Sequence, residues 1–145
     1  MTDAFDKLQP GDKIAGPEYA VTRPPLRAFC ADSLASPPLH LDDDYMKGTF
    51  GKTQFGGVIM HCMTNFGLIS RMLTDWLYPQ GGIHRRLETR WLAPVRPGDT
   101  IQPQGVIAAK KVTAGGRWVS LDIQVRNQHG EQIARGEALV EFPKI

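Results

Sequence analysis

The strongest helical signal in the chain is a row of apolar residues spaced three and four positions apart. Because an α-helix has about 3.6 residues per turn, this spacing places the row on one face and predicts a buried helix about five turns long. The members of the row are Ile59, Met63, Phe66, Ile69, Leu73 and Leu77. Residues 78–82, which include a proline and two glycines, end the predicted helix.

The second half of the chain alternates between apolar and polar residues, which is the pattern of half-buried β-strands. The predicted strands are residues 83–91, 100–112, 117–126 and 131–142, with turns at 94–98 and 127–130. Pro103 lacks an N–H and is therefore predicted to lie at an edge or a bulge. A long helix followed by an antiparallel meander predicts an α+β fold in which a sheet covers the helix.

The first half contains shorter elements. Residues 1–20 mix charge with glycine and proline, which predicts an irregular lead-in with one short strand. Thr22 is a candidate N-cap, and a short helix is predicted near residues 23–32, since prolines are tolerated in a first turn. Residues 42–54 are polar and contain glycine, which predicts a loop with one or two helical turns.

Length and composition predict one globular domain spanning residues 1–145, with 41% hydrophobic and 22% charged residues. The net charge of +2 is too small to indicate a nucleic-acid or polybasic membrane surface. No apolar run approaches the roughly 20 residues of a membrane span, and the charged N-terminus lacks the apolar core of a signal peptide. Cys30 and Cys62 provide no disulfide framework. These features predict a cytoplasmic protein.

Two segments resemble the signature of the MaoC-like dehydratases and (R)-specific enoyl-CoA hydratases. Residues 29–42 are similar to the family's pattern Phe-Ala-x-x-Ser-Gly-Asp-x-Asn-Pro-Leu-His-x-Asp, and residues 55–61 to its Phe-Gly-Gly-x-Ile-Ala-His segment. Residues 91–100 are similar to the family's Pro-Val-x-Pro-Gly-Asp-Thr turn. The resemblance implies a hotdog fold, with one long central helix wrapped by an antiparallel β-sheet. It also implies that the protein acts on an acyl-CoA thioester, adding or removing water at a 2-enoyl group.

The resemblance assigns His40 to the family's catalytic histidine. The family's catalytic Asp lies five positions before that histidine, and Ala35 occupies the position in this chain. Asp32, eight positions before His40, is the nearest candidate for a substitute acid. Without the Asp, a folded acyl-CoA-binding protein with reduced hydration activity is expected.

Developing negative charge on the thioester oxygen requires N–H donors, which a helix N-terminus supplies. The amides of Gly56, Gly57 and Val58, just before the predicted long helix, are the candidate oxyanion donors. His61 is expected in the first turn of that helix, in a structural hydrogen bond. Cys62 is expected to be a small buried side chain.

The family resemblance implies a dimer, either of two copies of this chain or with another hotdog subunit. His40 and Asp42 lack further ligands at credible spacing, so no metal site is predicted. The chain contains no flavin or nicotinamide motif, and coenzyme A is expected only as part of the substrate. Two alternatives to an active hydratase remain: a non-catalytic subunit of a heteromeric hydratase, and a hotdog acyl-CoA thioesterase.

Overall fold

A computed structural model describes residues 3–34, 37–48 and 55–143. The α-helices are α1 (Ala4–Lys7), α2 (Arg23–Asp32), α3 (Asp43–Gly48) and α4 (Cys62–Leu77). The β-strands are β1 (Lys13–Ala15), β2 (Tyr19–Ala20), β3 (Ile83–Trp91), β4 (Thr100–Thr113), β5 (Gly116–Asn127) and β6 (Gln132–Phe142). Short 3-10 turns at Pro38–His40 and Tyr78–Gln80 complete the described elements. None of the helices in these ranges is long and apolar enough to cross a membrane.

The strands form an antiparallel sheet in the order β1-β4-β5-β6-β3, with β2 also paired to β4. The predicted meander is correct for β4, β5 and β6 but wrong for β3, which pairs with β6 through registers such as Leu87↔Ala138. Residues 92–99 therefore carry the chain from one side of the sheet to the other. Alternation indicates which face of a strand is buried, but it does not specify the neighbouring strand.

The inner face of the sheet packs on α4, as the apolar patterns predict. One set of inward residues lies on β5 and comprises Val119, Leu121, Ile123 and Val125, each at most 3% exposed. Ile69, Leu73 and Leu77 of α4 are equally buried. This contact between a helix stripe and a sheet face forms the core.

The start of the long helix differs from the prediction. Helix α4 begins at Cys62, and His61 is its N-cap with extended backbone angles. Ile59 therefore precedes the helix, while Met63 is 46% exposed and Cys62 is also exposed. The prediction of a buried Cys62 is wrong because Cys62 lies with Met63 on the exposed side of the first turn of α4, whereas Asn65 in the same turn is buried.

Pro103 lies inside β4, opposite the interruption between the short strands β1 and β2. Its carbonyl accepts a hydrogen bond from the Gly16 N–H at 2.9 Å. The N–H and C=O of one strand residue point toward the same neighbouring strand. The N–H that Pro103 lacks would therefore point toward the gap between β1 and β2, where the strand next to β4 is interrupted. The only register irregularity in β4 against β5 lies between Ile107 and Ala109, away from the proline.

Candidate functional site

His40 ends the 3-10 turn that begins at Pro38, and its side chain is directed inward. The residue is only 7% exposed. Its ring nitrogen Nδ1 lies 2.8 Å from the carbonyl oxygen of Ile59. Because a carbonyl only accepts, Nδ1 carries the proton, and in the neutral ring Nε2 holds the lone pair. A buried imidazole with an oriented, unprotonated Nε2 is suited to act as a general base.

His61 is held in the opposite tautomer. As the N-cap of α4, its Nδ1 accepts a hydrogen bond from the Met63 N–H at 3.1 Å. In the neutral ring the proton therefore resides on Nε2. The expected structural hydrogen bond of His61 is confirmed, although the residue caps the helix instead of lying in its first turn.

The two histidine rings pack against each other. Their centroids are 4.6 Å apart, and Phe29 of α2 packs on His61 at 5.1 Å. Burial lowers the pKa of His61 below its ordinary value, and repulsion from the His40 ring in its protonated form lowers it further. His61 is consequently a neutral hydrogen-bond donor at neutral pH.

Residues 58–60, just before His61, are held in place by hydrogen bonds from their backbone N–H groups. The Val58 N–H donates to Asp43 Oδ1 at 3.1 Å, the Ile59 N–H to the Leu39 carbonyl at 3.1 Å, and the Met60 N–H to the Val95 carbonyl at 2.7 Å. The Val58 amide, predicted as an oxyanion donor, is thus occupied by a carboxylate. Sequence spacing does not reveal this bond because Asp43 and Val58 are fifteen residues apart.

Asp43 connects three parts of the site. Besides the Val58 amide, its carboxylate binds the guanidinium of Arg23 at 2.7 Å. The Val58 N–H, and next the Arg23 hydrogen bond, lower the pKa of Asp43. Asp42 accepts the Tyr45 N–H at 2.9 Å at the start of α3. The acidic run therefore caps a helix and ties α2 to the segment that carries Ile59.

Two glycines that precede α4 in the sequence, and the first residue of that helix, are the candidate main-chain donors. Gly56 has a φ of 74°, a left-handed conformation that favours glycine. An added Cβ on Gly57 would be 3.4 Å from Asp43 Oδ1. Cys62 is the first residue of α4, so its N–H has no intrahelical acceptor.

The structure does not bring the candidate acid Asp32 to His40. Asp32 is exposed at the C-terminal end of α2 and has no hydrogen bond or ion pair with His40 within the part of the chain that is described. Ala35, which the sequence resemblance predicts to stand at the position of the family's Asp, lies outside the described residues. The ring that the structure brings to His40 is instead His61.

Asn65 is a polar residue that the sequence interpretation did not single out for the site. It is 4% exposed, and its Oδ1 has no hydrogen-bond partner among the residues that the structure describes. It lines a cavity of about 330 Å³ whose remaining wall residues include Ile59, Met60, Cys62 and Trp91. Its spacing of four from Ile69 places it on the buried face of α4, and that spacing was the available signal.

A wider cleft of about 1030 Å³ lies elsewhere. Its lining comes from β3, β5 and β6 together with Phe66 of α4 and Val106 of β4, and it includes charged residues such as Glu88, Asp122 and Arg135. Neither His40 nor His61 lines this cleft. Size alone is therefore a poor guide to the site, because open polar sheet surfaces also enclose large volumes.

The chain is similar in sequence to known proteins. Residues 7–128 match the family described as the MaoC like domain. Over 143 residues the chain is 27% identical to an (R)-specific enoyl-CoA hydratase from Rhodospirillum rubrum, an alignment that covers 96% of this chain and 91% of that protein.

Solved structures share the fold over nearly the whole chain. R-hydratase PhaJ1 from Pseudomonas aeruginosa, in the unliganded form, matches with a TM-score of 0.81 at 28% identity, covering 97% of this chain and 86% of that one. The ChsH1-ChsH2 complex from Mycobacterium tuberculosis matches in fold with a TM-score of 0.75 at 17% identity, covering 92% of this chain and 98% of that one. These similarities confirm the hotdog fold.

Proposed function

This chain belongs to the MaoC-like domain family, and we propose that it is an enoyl-CoA hydratase/dehydratase, a lyase that adds water to, or removes it from, a 2-enoyl-CoA thioester. The observation that carries the proposal is the buried His40, whose Nδ1–H is bound by the Ile59 carbonyl and whose Nε2 is left as a base. The identity to an (R)-specific enoyl-CoA hydratase supports the same assignment.

In the proposed hydration, His40 is the catalytic residue and serves as a single acid–base group. Its Nε2 takes a proton from water while the water oxygen bonds to C3 and the C2=C3 electrons move onto the thioester oxygen. The same proton then passes from His40 to C2 as the enolate collapses. One water is added, and the imidazole returns to its starting state. General acid–base catalysis of this kind contributes about 10²–10⁴-fold.

Main-chain amides are the proposed donors to the developing oxyanion. The Gly56 and Gly57 amides stay in the proposal, and the Cys62 amide at the start of α4 joins them in place of Val58. The positive end of the α4 dipole adds to their effect. Because the chemistry needs only proton transfer, coenzyme A enters as part of the substrate and no other cofactor is proposed.

His61 is proposed as a positioning residue. It is neutral at neutral pH, so it does not supply a proton to C2. Its ring packs against His40 and caps α4, and thereby links the base to the helix end that faces the thioester. Asp32 remains a candidate acid from the sequence alone, and its exposed position at the end of α2 gives it no direct support.

We expect weakened activity because Ala35 stands at the position where the resemblance places the family's catalytic Asp. A family member with the Asp has two groups that hold water, whereas this chain has His40 alone at the matching positions. The test is to purify the chain and follow the loss of ultraviolet absorbance from short and medium trans-2-enoyl-CoAs. The variants Ala35→Asp and His40→Ala are measured beside the wild type.

The proposal predicts slow turnover by the wild type, faster turnover by Ala35→Asp, and loss of turnover in His40→Ala. Turnover that survives His40→Ala would contradict it. Activity that appears only in Ala35→Asp would instead favour the non-catalytic subunit of a heteromeric hydratase. Release of free thiol without hydration would favour a thioesterase.

A dimer is proposed along β3. This strand is at one end of the described sheet order, so one row of its main-chain groups faces outward. Ile83, Trp91 and Leu92 are exposed at and just beyond its ends. A second hotdog chain, identical or different, would pair with this edge, and the fold match to a two-component complex supports either choice. Sedimentation analysis of the purified chain, alone and with a co-purifying subunit, separates the two.

A further inference from the structure

Arg96 donates two hydrogen bonds to one carbonyl oxygen just before the two glycines that precede α4. Its Nε lies 3.2 Å and its Nη2 lies 3.1 Å from the Phe55 oxygen. A guanidinium presents these N–H groups in a rigid planar fork, so the contact restricts the direction of the carbonyl more than a single donor does. Arg96 forms no salt bridge within the described part of the chain, so the Phe55 carbonyl is what anchors its side chain there.

The main chain of Arg96 is held as firmly as its side chain. Its N–H donates to Asp99 Oδ2 at 2.7 Å, and the Asp99 N–H donates to the Arg96 carbonyl at 3.0 Å. The preceding residue, Val95, is buried, and its carbonyl accepts the Met60 N–H at 2.7 Å. The turn between β3 and β4 therefore binds the segment before α4 at two points, Phe55 and Met60.

The contact with the Phe55 carbonyl also orients the Gly56 N–H. Both groups belong to one planar trans peptide unit, so they point in opposite directions. Gly56 has a φ of 74°, and nothing lies within 4 Å of a Cβ added there, so its backbone conformation and not a lack of space favours glycine. Because glycine adopts both signs of φ readily, Gly56 does little by itself to keep this peptide from turning over. Arg96 provides the restraint.

The other end of the glycine pair is restrained separately. The Val58 N–H donates to Asp43 Oδ1 at 3.1 Å, which orients the Gly57–Val58 peptide in the same way. Between these two contacts, the N–H groups of Gly56 and Gly57 donate to no acceptor within the described residues. Fixed donors that need no reorganisation are what stabilise a developing oxyanion best.

We propose that Arg96 is a positioning residue of the hydratase. By binding the Phe55 carbonyl, it aims the Gly56 N–H at the thioester oxygen as negative charge develops there. Arg96 acts through this peptide and does not itself contact the reacting atoms. The inference rests on the proposed function and adds to it a residue that the family resemblance leaves open, because position 96 is the variable one in the Pro-Val-x-Pro-Gly-Asp-Thr pattern.

The test measures charge stabilisation without turnover. Acetoacetyl-CoA lacks the 2-enoyl double bond, and its enolate, which absorbs in the ultraviolet, carries negative charge on the thioester oxygen. The wild type is expected to raise the ratio of enolate to keto form in the bound ligand at a fixed pH. Removing an oxyanion donor costs about 10²–10³-fold in kcat, so Arg96→Gln is expected to lower both this ratio and kcat on enoyl-CoA at least about tenfold. KM is expected to change little, because the interaction forms mainly in the transition state.

Two further variants separate geometry from stability and from overall charge. Arg71→Gln is the matched control, since Arg71 is exposed on α4 and pairs with Asp75, and it is expected to match the wild type in ratio and kcat. Arg96→Lys keeps the positive charge but not the planar fork. It is expected to show a smaller loss in the same direction, and it carries the comparison if Arg96→Gln fails to fold.

A double-mutant cycle tests whether Arg96 acts through the Phe55–Gly56 peptide. Gly56→Ala disfavours the left-handed backbone, so both substitutions disturb one peptide and their effects on the enolate ratio are expected to be less than additive in free energy. The inference is overturned if the folded Arg96 variants match the wild type, or if the two effects add fully, since Arg96 then acts by charge alone. If acetoacetyl-CoA does not bind the wild type, the proposed function fails together with the inference.

Discussion

The imidazole rings of His40 and His61 lie with centroids 4.6 Å apart, and the main chain holds the two rings in opposite tautomers. The Ile59 carbonyl binds Nδ1 of one, and the Met63 N–H binds Nδ1 of the other. The pair therefore places a proton acceptor and a hydrogen-bond donor on two separate rings, whereas a single neutral histidine carries both. His40 presents a lone pair at Nε2, while His61 presents an N–H at Nε2.

Replacing His40 by alanine is expected to lower kcat on enoyl-CoA by about 10²–10⁴-fold, because the proposed single acid–base group is lost. Circular dichroism checks that the variant is folded. His129, exposed in the turn between β5 and β6, provides the matched control. His129→Ala is expected to keep wild-type turnover, and equal loss in both variants would refute the assignment.

Two substitutions separate the capping and positioning roles of His61. His61→Ala removes the N-cap acceptor of α4, and urea titration is expected to show a loss of about 1 kcal/mol in the free energy of unfolding. His61→Asn keeps an acceptor at the N-cap and is expected to retain most of that stability. Both variants lose the ring against His40, so both are expected to lower kcat more than they raise KM. Wild-type kcat in stable His61→Asn would show that the contact has no positioning role.

The lowered pKa of His61 predicts how stability varies with pH. As pH falls below the ordinary histidine value of 6.5, the unfolded chain takes up a proton at this position before the folded chain does. Since the unfolded state then binds more protons, the free energy of unfolding decreases with falling pH from about 6.5 to the folded pKa. Urea titrations between pH 8 and pH 5 (about the range needed to cover this window) are expected to give a shallower slope for His61→Asn. An unchanged slope would exclude His61 as its source.

Gly136 allows β6 to approach β3. A Cβ added there would lie 1.9 Å from the carbonyl oxygen of Glu88, so Gly136→Ala forces the two strands apart. We expect destabilisation of about 3 kcal/mol or more, measured by urea unfolding. Gly115→Ala is the matched control, because its nearest neighbour would be Thr113 Oγ1 at 4.0 Å. Comparable stability of the two variants would contradict the close approach.

The elements were predictable where one pattern acts over many residues. Helix α2 at Arg23–Asp32 and strands such as β5 agree with the sequence interpretation, because burial on one face imposes a period of 3.6 or 2. Short elements were harder to predict. Helix α1 and the start of α4 depend on individual capping contacts, such as Asp3 with the Phe5 N–H and His61 with the Met63 N–H, and these leave little periodic signal.

For the candidate site, the sequence by itself determined the residue types and the resemblance to a family signature. That resemblance predicts the roles of His40 and of the two glycines before α4, and it predicts that Ala35 stands at the position of the family's Asp. Tertiary structure alone decided that His61 packs on His40, that Asp43 occupies the Val58 amide, and that Asn65 Oδ1 is buried with no hydrogen-bond partner among the described residues. The reason is physical. A motif specifies chemistry along the chain, whereas hydrogen-bond partners are set by which distant groups the packed core brings within about 3 Å of one another.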